Sequence, residues 1–288
     1  MARIKIIADS ASDIPQYLVE KYNIGYVPVC IVIDGKVYHD RYDLDGREYM
    51  KNLANMENIP TTSMMPLEWI EKEFRKNLDD YDYQILVTLS SKASGGYNAA
   101  HLLKQQIEEE LGHESNIIVL DSEKFSMLYG KDVVRMAELA ANGASLEEVM
   151  DAFECGKKTG KAFFMVDDLK HLQKGGRIKA TTAVIGGLLG IKPILTINDG
   201  LVENIAKERG LQKSLNKIVE MTAEVYDSVN KPKIWIANGY SDDSCNFTIN
   251  LLKEKLGDVE IEMFDLGCII GTHTGPGVVG IIFDQKGE

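Results

Sequence analysis

Apolar and polar positions alternate in blocks through the first half of the chain. Apolar runs that are rich in β-branched residues predict buried strands. These predicted strands are 3–8, 25–33, 84–89 and 116–120. Segments with helical spacing predict helices at 45–56, 66–78, 95–111, 126–142 and 145–158. Strands that alternate with helices long enough to cross over predict a mainly parallel sheet with helices on both faces.

The pattern changes after about residue 160. The strands predicted there are 162–166, 192–197, 201–206, 234–237, 259–264 and 278–283. The helices predicted there are 167–173, 181–189, 211–229 and 242–256. Asn198-Asp199-Gly200 lies between two of these strands and predicts an antiparallel hairpin. Because helices and antiparallel strands are mixed, we predict an α/β domain over 1–158 and a smaller α+β domain over 159–288.

A glycine-rich segment near the C-terminal end carries a histidine. Residues 271–277 read GTHTGPG, and apolar runs precede and follow them. Glycine frees the backbone and proline fixes it, so the segment predicts a tight turn. Such a turn could present His273 to a ligand. It could equally be a plain turn between strands, in which the imidazole only bonds to backbone groups.

Two upstream loops carry clustered hydroxyl groups. Thr61, Thr62 and Ser63 lie between prolines, which predicts an extended loop, although the hydroxyls could instead form a turn or a helix cap. The loop 90–97 joins a predicted strand to a helix, where unpaired N–H groups can bind an anion. Ser94 there could cap the helix, or it could contact a ligand beside the Gly95 N–H.

Two further segments have both a ligand-binding and a structural interpretation. The carboxylates and hydroxyls of 9–15 could bind a ligand or cap the next helix. The basic residues of 174–179 surround a Gly-Gly pair. They could contact a phosphate or a protein partner, or they could belong to a solvated loop.

The composition excludes several classes of protein. The 288 residues carry a net charge of −12, which argues against a broad nucleic-acid-binding surface. The four cysteines have no C-x-x-C spacing, so neither a zinc site nor a disulfide framework is indicated. The first residues do not resemble a signal peptide, and no apolar run approaches the length of a membrane span. We therefore predict a cytoplasmic protein.

The remaining candidate chemistry is an uncharged polar cluster. The chain has no P-loop, dinucleotide-binding fingerprint, nucleophile elbow or zinc-protease motif, and its five histidines suggest no metal site. The predicted cluster consists of Thr62, Ser63, Ser94, the Gly95 N–H and His273. Such groups can bind a carboxylate or a phosphate, and the apolar surroundings favour an amphipathic ligand. The alternative is a hydrolase or acyltransferase that uses Ser94 as nucleophile and His273 as base.

Six stretches, taken in order, resemble the DegV family of bacterial fatty-acid-binding proteins over essentially the whole chain. They are DSASDIP at 9–15, TS at 62–63, SSKASGGY at 90–97, KGGRI at 174–178, GIKPIL at 190–195 and GTHTGPG at 271–277. Each stretch alone is a weak signal, but the ordered set is specific.

This resemblance implies a fold and a function. The fold would be a Rossmann-like N-terminal domain and a smaller α+β domain, with one long-chain fatty acid such as palmitate, stearate or oleate between them. The protein would have no catalysis or cofactor of its own. It would present the carboxylate to a separate ATP-dependent fatty acid kinase, which forms an acyl phosphate for phospholipid synthesis. No transmembrane segment is implied, but the role leaves room for transient contact with a membrane.

The resemblance also implies roles for particular residues. Thr62 and Ser94 would hydrogen-bond the carboxylate with help from the Gly95 N–H, and His273 would lie behind the head group. Residues Arg177 and Arg209 would face the kinase. The chain departs from the family pattern in two places. Methionines at 64–65 stand where the family has Gln before proline, and 209–210 replaces a longer basic run. The first departure bears on the cavity wall, and the second bears on the partner surface.

Overall fold

The computed structural model describes residues 2–167, 169–179 and 190–287. The helix predicted at 181–189, with its Gly-Gly pair, lies outside these residues. The described strands form sheets of four, six and three strands. Across the same residues, no helix is both long enough and apolar enough to cross a membrane.

The elements are numbered along the chain. The strands are β1 (Ile4–Asp9), β2 (Gly25–Val27), β3 (Cys30–Ile33), β4 (Lys36–His39), β5 (Thr61–Ser63), β6 (Tyr83–Thr88), β7 (Ile117–Asp121), β8 (Gly160–Met165), β9 (Ile191–Asn198), β10 (Leu201–Arg209), β11 (Ile234–Asn238), β12 (Ile261–Asp265) and β13 (Val279–Asp284). The helices are α1 (Gln16–Lys21), α2 (Gly46–Leu53), α3 (Leu67–Asn77), α4 (Gly96–Leu111), α5 (Met127–Ala141), α6 (Leu146–Thr159), α7 (Lys170–Gly175), α8 (Leu211–Val225), α9 (Asp242–Leu256) and α10 (Cys268–Thr274).

The four-stranded sheet is parallel, in the order β2-β1-β6-β7. Its central strand β1 is buried along its whole length, as expected for a strand that is covered on both faces. Helix α6 begins with a complete capping box, in which Ser145 and Glu148 bond to each other's backbone N–H groups. The predicted α/β architecture with a parallel sheet is confirmed.

The single strand predicted at 25–33 is wrong. The chain forms two strands there, β2 and β3, which lie in different sheets. Pro28 stands between them and lacks the N–H that would continue a hydrogen-bonded ladder. Strand β3 instead forms an antiparallel hairpin with β4, and it pairs on its other edge with β5. The loop predicted around Thr62 is therefore a short, paired strand.

The six-stranded sheet is mixed, in the order β10-β9-β8-β13-β11-β12. Side chains alternate between its two faces. On one face, Phe163, Ile281 and Phe283 pack in a core cluster with residues of α8 and α9. Phe164 and Ile282 belong to the other face, which packs with the parallel sheet and its helices. The hairpin predicted around 198–200 is present as β9 and β10.

The tight turn predicted at 271–277 is wrong in its first half. Helix α10 continues to Thr274, and the turn is confined to 275–277. A Cβ on Gly271 would lie 2.1 Å from the Sδ of Met50, so this glycine allows α10 to pack closely on α2. The Tyr49 hydroxyl of α2 also bonds to the Thr272 hydroxyl at 2.6 Å. A glycine that looks like a helix breaker in the sequence is a packing residue, because its contact is with another helix.

Candidate functional site

A cavity lies where the carboxyl edge of the parallel sheet meets one face of the six-stranded sheet. Leu89 follows β6, and Phe125 follows β7, and both line the cavity. Phe164 and Ile282 line it from the six-stranded sheet. The loops at the carboxyl edge of a parallel sheet are where open α/β folds bind their ligands. The position therefore favours a binding site.

Most of the cavity wall is apolar. Helix α10 contributes two consecutive residues, Ile269 and Ile270, and both belong to the hydrophobic core. Other apolar wall residues come from every part of the fold, and they include Val29, Leu128, Leu172, Ile197, Val202 and Val278. A wall of this kind can shield a hydrocarbon chain from water.

All five residues of the predicted polar cluster line this same cavity. Thr62 and Ser63 come from β5, Ser94 and Gly95 come from the loop before α4, and His273 comes from α10. Strand β5 is held in place by β3, with Thr62 opposite Ile31 in the register. Three segments that are distant in the sequence therefore bring their polar groups to one end of the cavity.

Thr62 and His273 form a direct hydrogen bond. The Thr62 Oγ1 atom lies 2.8 Å from the His273 Nε2 atom. The other ring nitrogen, Nδ1, is buried and has no partner among the described residues. A Cβ on Gly175 would lie 2.2 Å from Nδ1, so the absence of a side chain there makes room for the ring. The pair links the three-stranded sheet to α10.

The imidazole of His273 is uncharged at neutral pH. Burial, together with smaller electrostatic effects of Arg177 and His171, lowers its pKa to about 4. An unpaired nitrogen lone pair costs less than an unpaired N–H group, because buried N–H groups are rarely left without an acceptor. We therefore assign the ring proton to Nε2, which donates to Thr62. The Thr62 hydroxyl then keeps its own proton for a ligand.

Of the two roles that the sequence left open for Ser94, the structure does not show that of N-cap residue. The cap residue of α4 is Gly95, and no side chain caps the helix there. The Ala93 and Ser94 N–H groups bond to the Ser90 carbonyl, and this preceding turn shifts the helix start by one residue. The Ser94 hydroxyl accepts a bond of 3.3 Å from the Gly96 N–H. The N-terminus of α4, with its partial positive charge, therefore lies at the cavity.

The structure separates the two arginines that were predicted to face a partner. Arg177 lines the cavity, where its Nε donates to the Ala93 carbonyl at 3.0 Å and its Nη1 donates to the Gly175 carbonyl. Arg209 ends β10, is exposed, and is not part of the described cavity wall. The polar end of the cavity is therefore not purely neutral, because a guanidinium group stands in its wall.

This arrangement favours anion binding over nucleophilic catalysis. Hydroxyl groups, a helix N-terminus and a guanidinium group can all contact a carboxylate. His273 Nε2 bonds to Thr62 and not to Ser94, so the structure does not pair the proposed nucleophile with its proposed base. Among the described residues, no three His, Cys, Asp or Glu side chains are placed to hold a metal ion.

The sequence did not identify most of the cavity wall. Phe164 and Ala162 line the cavity while Phe163 between them does not, which is the alternation of a strand. That alternation was available in the sequence, but it could not show which face would meet the parallel sheet. The sequence indicates only an apolar run at Ile269 and Ile270, whereas the structure places both in helix α10.

A protein-family model described as "Uncharacterised protein, DegV family" matches residues 3–286. A DegV domain-containing protein of Caldanaerobacter subterraneus subsp. tengcongensis is 33% identical over 286 residues, which cover 99% of this chain and 100% of that relative. The family match therefore extends over both the parallel sheet and the six-stranded sheet.

Solved structures of the family have the same fold. Bacillus subtilis DegV, a fatty acid binding protein, is 30% identical with a TM-score of 0.86, covering 99% of this chain and 100% of that one. A Thermus thermophilus DegV family protein, whose structure describes fatty acid binding, is 29% identical with a TM-score of 0.87, covering 97% and 98% of the two chains. With the family match over nearly every residue, these similarities establish that the chain belongs to the DegV family.

Proposed function

We propose that this protein binds one long-chain fatty acid, such as palmitate, stearate or oleate, and acts as its carrier. The observation that carries the proposal is a cavity that is apolar along most of its wall and polar at one end. The fatty acid binding described for the Bacillus subtilis and Thermus thermophilus relatives supports it. We place the acyl chain between a domain of residues 1–158 and a domain of residues 159–288.

The acyl chain supplies most of the affinity in this proposal. Each methylene group that leaves water contributes about 0.8 kcal/mol. The head group then mainly sets the orientation, with Thr62, Ser63 and Ser94 as hydroxyl contacts and the Gly95 N–H beside them. His273 acts behind Thr62, because its ring holds the threonine oxygen and leaves the threonine proton free.

We further propose that the carrier presents the carboxylate to a separate fatty acid kinase for acyl-phosphate formation and phospholipid synthesis. The carboxylate would lie against hydroxyl groups and one guanidinium group, without a covalent bond, so it stays available for transfer. The exposed Arg209 is the better candidate for the kinase-facing surface, because Arg177 lies in the cavity wall. The phosphorylation would take place in the cytoplasm, where ATP is available to the kinase.

A hydrolase or acyltransferase using Ser94 and His273 is the competing function. It needs a proton path from the serine hydroxyl to the imidazole. The hydrogen bond between the His273 imidazole and the Thr62 hydroxyl supports the carrier function instead. Wild-type turnover of an acyl ester that disappears in Ser94→Ala would favour the enzyme.

The first prediction concerns the ligand itself. Native mass spectrometry of the purified protein should show a non-covalent adduct of fatty-acid mass, one per chain. Organic extraction of the denatured protein should release that acid and identify its chain length. A protein that stays free of adduct after incubation with palmitate and oleate would contradict the carrier function.

The second prediction concerns the head-group contact of Thr62. Thr62→Val keeps the shape of the side chain and removes its hydroxyl, so palmitate affinity should fall roughly ten- to hundredfold, as for a hydrogen bond to a charged group. Thr61→Val is the matched control, since Thr61 is exposed on the same strand and does not line the cavity. Titration calorimetry with delipidated protein measures both, and equal affinities would exclude this contact.

The third prediction concerns pH. Since the pKa of His273 is lowered to about 4, its ring should stay neutral from pH 8 down to about pH 5 and gain a proton only below that. The NMR signal of its imidazole, assigned by its loss in His273→Gln, should therefore be nearly constant between pH 6 and 8. A midpoint near pH 6.5 would show that the ring is not buried as described.

The fourth prediction concerns the kinase. Arg209→Glu should leave palmitate affinity unchanged, because Arg209 does not line the described cavity. The same variant should lower, by about tenfold, the rate at which a fatty acid kinase from a DegV-containing bacterium converts the bound acid to acyl phosphate. Lys255→Glu, an equal charge reversal at an exposed position of α9, is the control. If Arg209→Glu and Lys255→Glu change the rate of acyl-phosphate formation equally, Arg209 is not part of the surface that contacts the kinase.

A further inference from the structure

One polar residue of the cavity wall lies away from the polar end. Of the described wall residues with polar side chains, Thr62, Ser63, Ser94 and Arg177 gather near His273, and Thr274 follows it. Ser126 lies among apolar wall residues instead, with Phe125 and Leu128 beside it in the chain. The function proposed above gives this serine no task.

The position of Ser126 follows from its hydrogen bonds. Its hydroxyl donates to Asp13 Oδ2, and Asp13 Oδ1 accepts from the Gly267 N–H, just before α10 begins. His273 is near the other end of the same helix. A helix rises about 1.5 Å per residue, so Gly267, to which Asp13 joins Ser126, lies roughly 9 Å from His273 along the axis of α10.

The backbone at Ser126 is strained. Its φ of 54° and ψ of −152° belong to a region that is essentially confined to glycine. A glycine at this position would remove the strain, because it has no side chain to restrict the backbone, yet the chain has a serine there. Strained residues of this kind cluster at ligand-binding and functional sites. The backbone conformation does not explain the presence of serine at this position, so we look for a function of the serine side chain.

The Ser126 hydroxyl still has hydrogen-bonding capacity. A serine oxygen has one proton and two lone pairs, and the proton is used by Asp13. The Asp13 side chain behind it is almost fully buried, at 1% exposure, while Ser126 retains 6%. The serine therefore lies between a buried carboxyl group and the cavity. Because Asp13 already accepts the serine proton, a fatty acid without a hydroxyl group can bind beside Ser126 and leave no serine proton unpaired.

We propose that Ser126 is a second polar contact for the acyl chain, and that the cavity accepts fatty acids with a hydroxyl group near the middle of the chain. The chain hydroxyl would donate to the Ser126 oxygen. In an otherwise apolar wall, a buried hydroxyl without a partner would weaken binding. This inference rests on the proposed fatty acid binding and names a class of ligand for it.

The test compares stearate with 10- and 12-hydroxystearate on delipidated wild-type protein and on Ser126→Gly. Glycine suits the backbone at this position, so the variant should fold. The wild type should bind at least one hydroxystearate within about twofold of stearate. In Ser126→Gly, the affinity for that hydroxystearate relative to the affinity for stearate should fall about tenfold, the usual effect of an unpaired polar group. 3-Hydroxystearate, whose hydroxyl lies near the head group, should not distinguish the two proteins.

Ser94→Ala is the matched control, because it removes a hydroxyl at the head group and should weaken stearate and the hydroxystearates alike. An equal ratio of affinities in wild type and Ser126→Gly, for both mid-chain acids, would overturn the role of Ser126. Wild-type protein that binds stearate but rejects both hydroxystearates would overturn it as well. Failure of the wild type to bind stearate at all would instead overturn the fatty acid carrier itself.

Discussion

Two buried carboxyl groups hold the loops that form the cavity. Asp9 accepts hydrogen bonds from the Leu89 N–H at 2.7 Å and from the Tyr129 hydroxyl at 2.6 Å. Asp13 reaches the Gly267 N–H, which joins the first loop of the chain to the start of α10. Burial raises the pKa of Asp9 to about 6 and that of Asp13 to about 7. These bonds offset part of the desolvation cost, and two of them join the first strand and loop to Tyr129 of α5 and to the start of α10, which lie outside the parallel sheet.

Local patterns predicted the elements well where neighbouring residues decide the outcome. The capping box at Ser145 and the alternation of apolar runs with helices both act within a few residues. The prediction failed where a distant contact decides. Gly271 looks like part of a turn until Met50 is known to lie against it, and Pro28 splits a run whose halves join different sheets. Tertiary packing overrides local propensity at such positions.

The polar end of the cavity shows the same division. Thr62, Ser94 and His273 were recognisable because each lies in a short stretch of the sequence that is rich in hydroxyl groups or glycines. The sequence could not show that Thr62 and His273 bond to each other, or that Arg177 lies in the wall. Those facts depend on side-chain direction across strands and helices far apart in the chain.

The position of β13 determines when the six-stranded sheet can be completed during translation. This strand follows every other described strand in the sequence, yet it lies between β8 and β11 in the six-stranded sheet. During synthesis the earlier strands leave the ribosome while the gap between β8 and β11 is still empty. The cavity, which β13 lines through Gly280 and Ile282, therefore closes only after residues 279–284 have been translated. A nascent chain consequently cannot bury the apolar surface of the cavity wall until then.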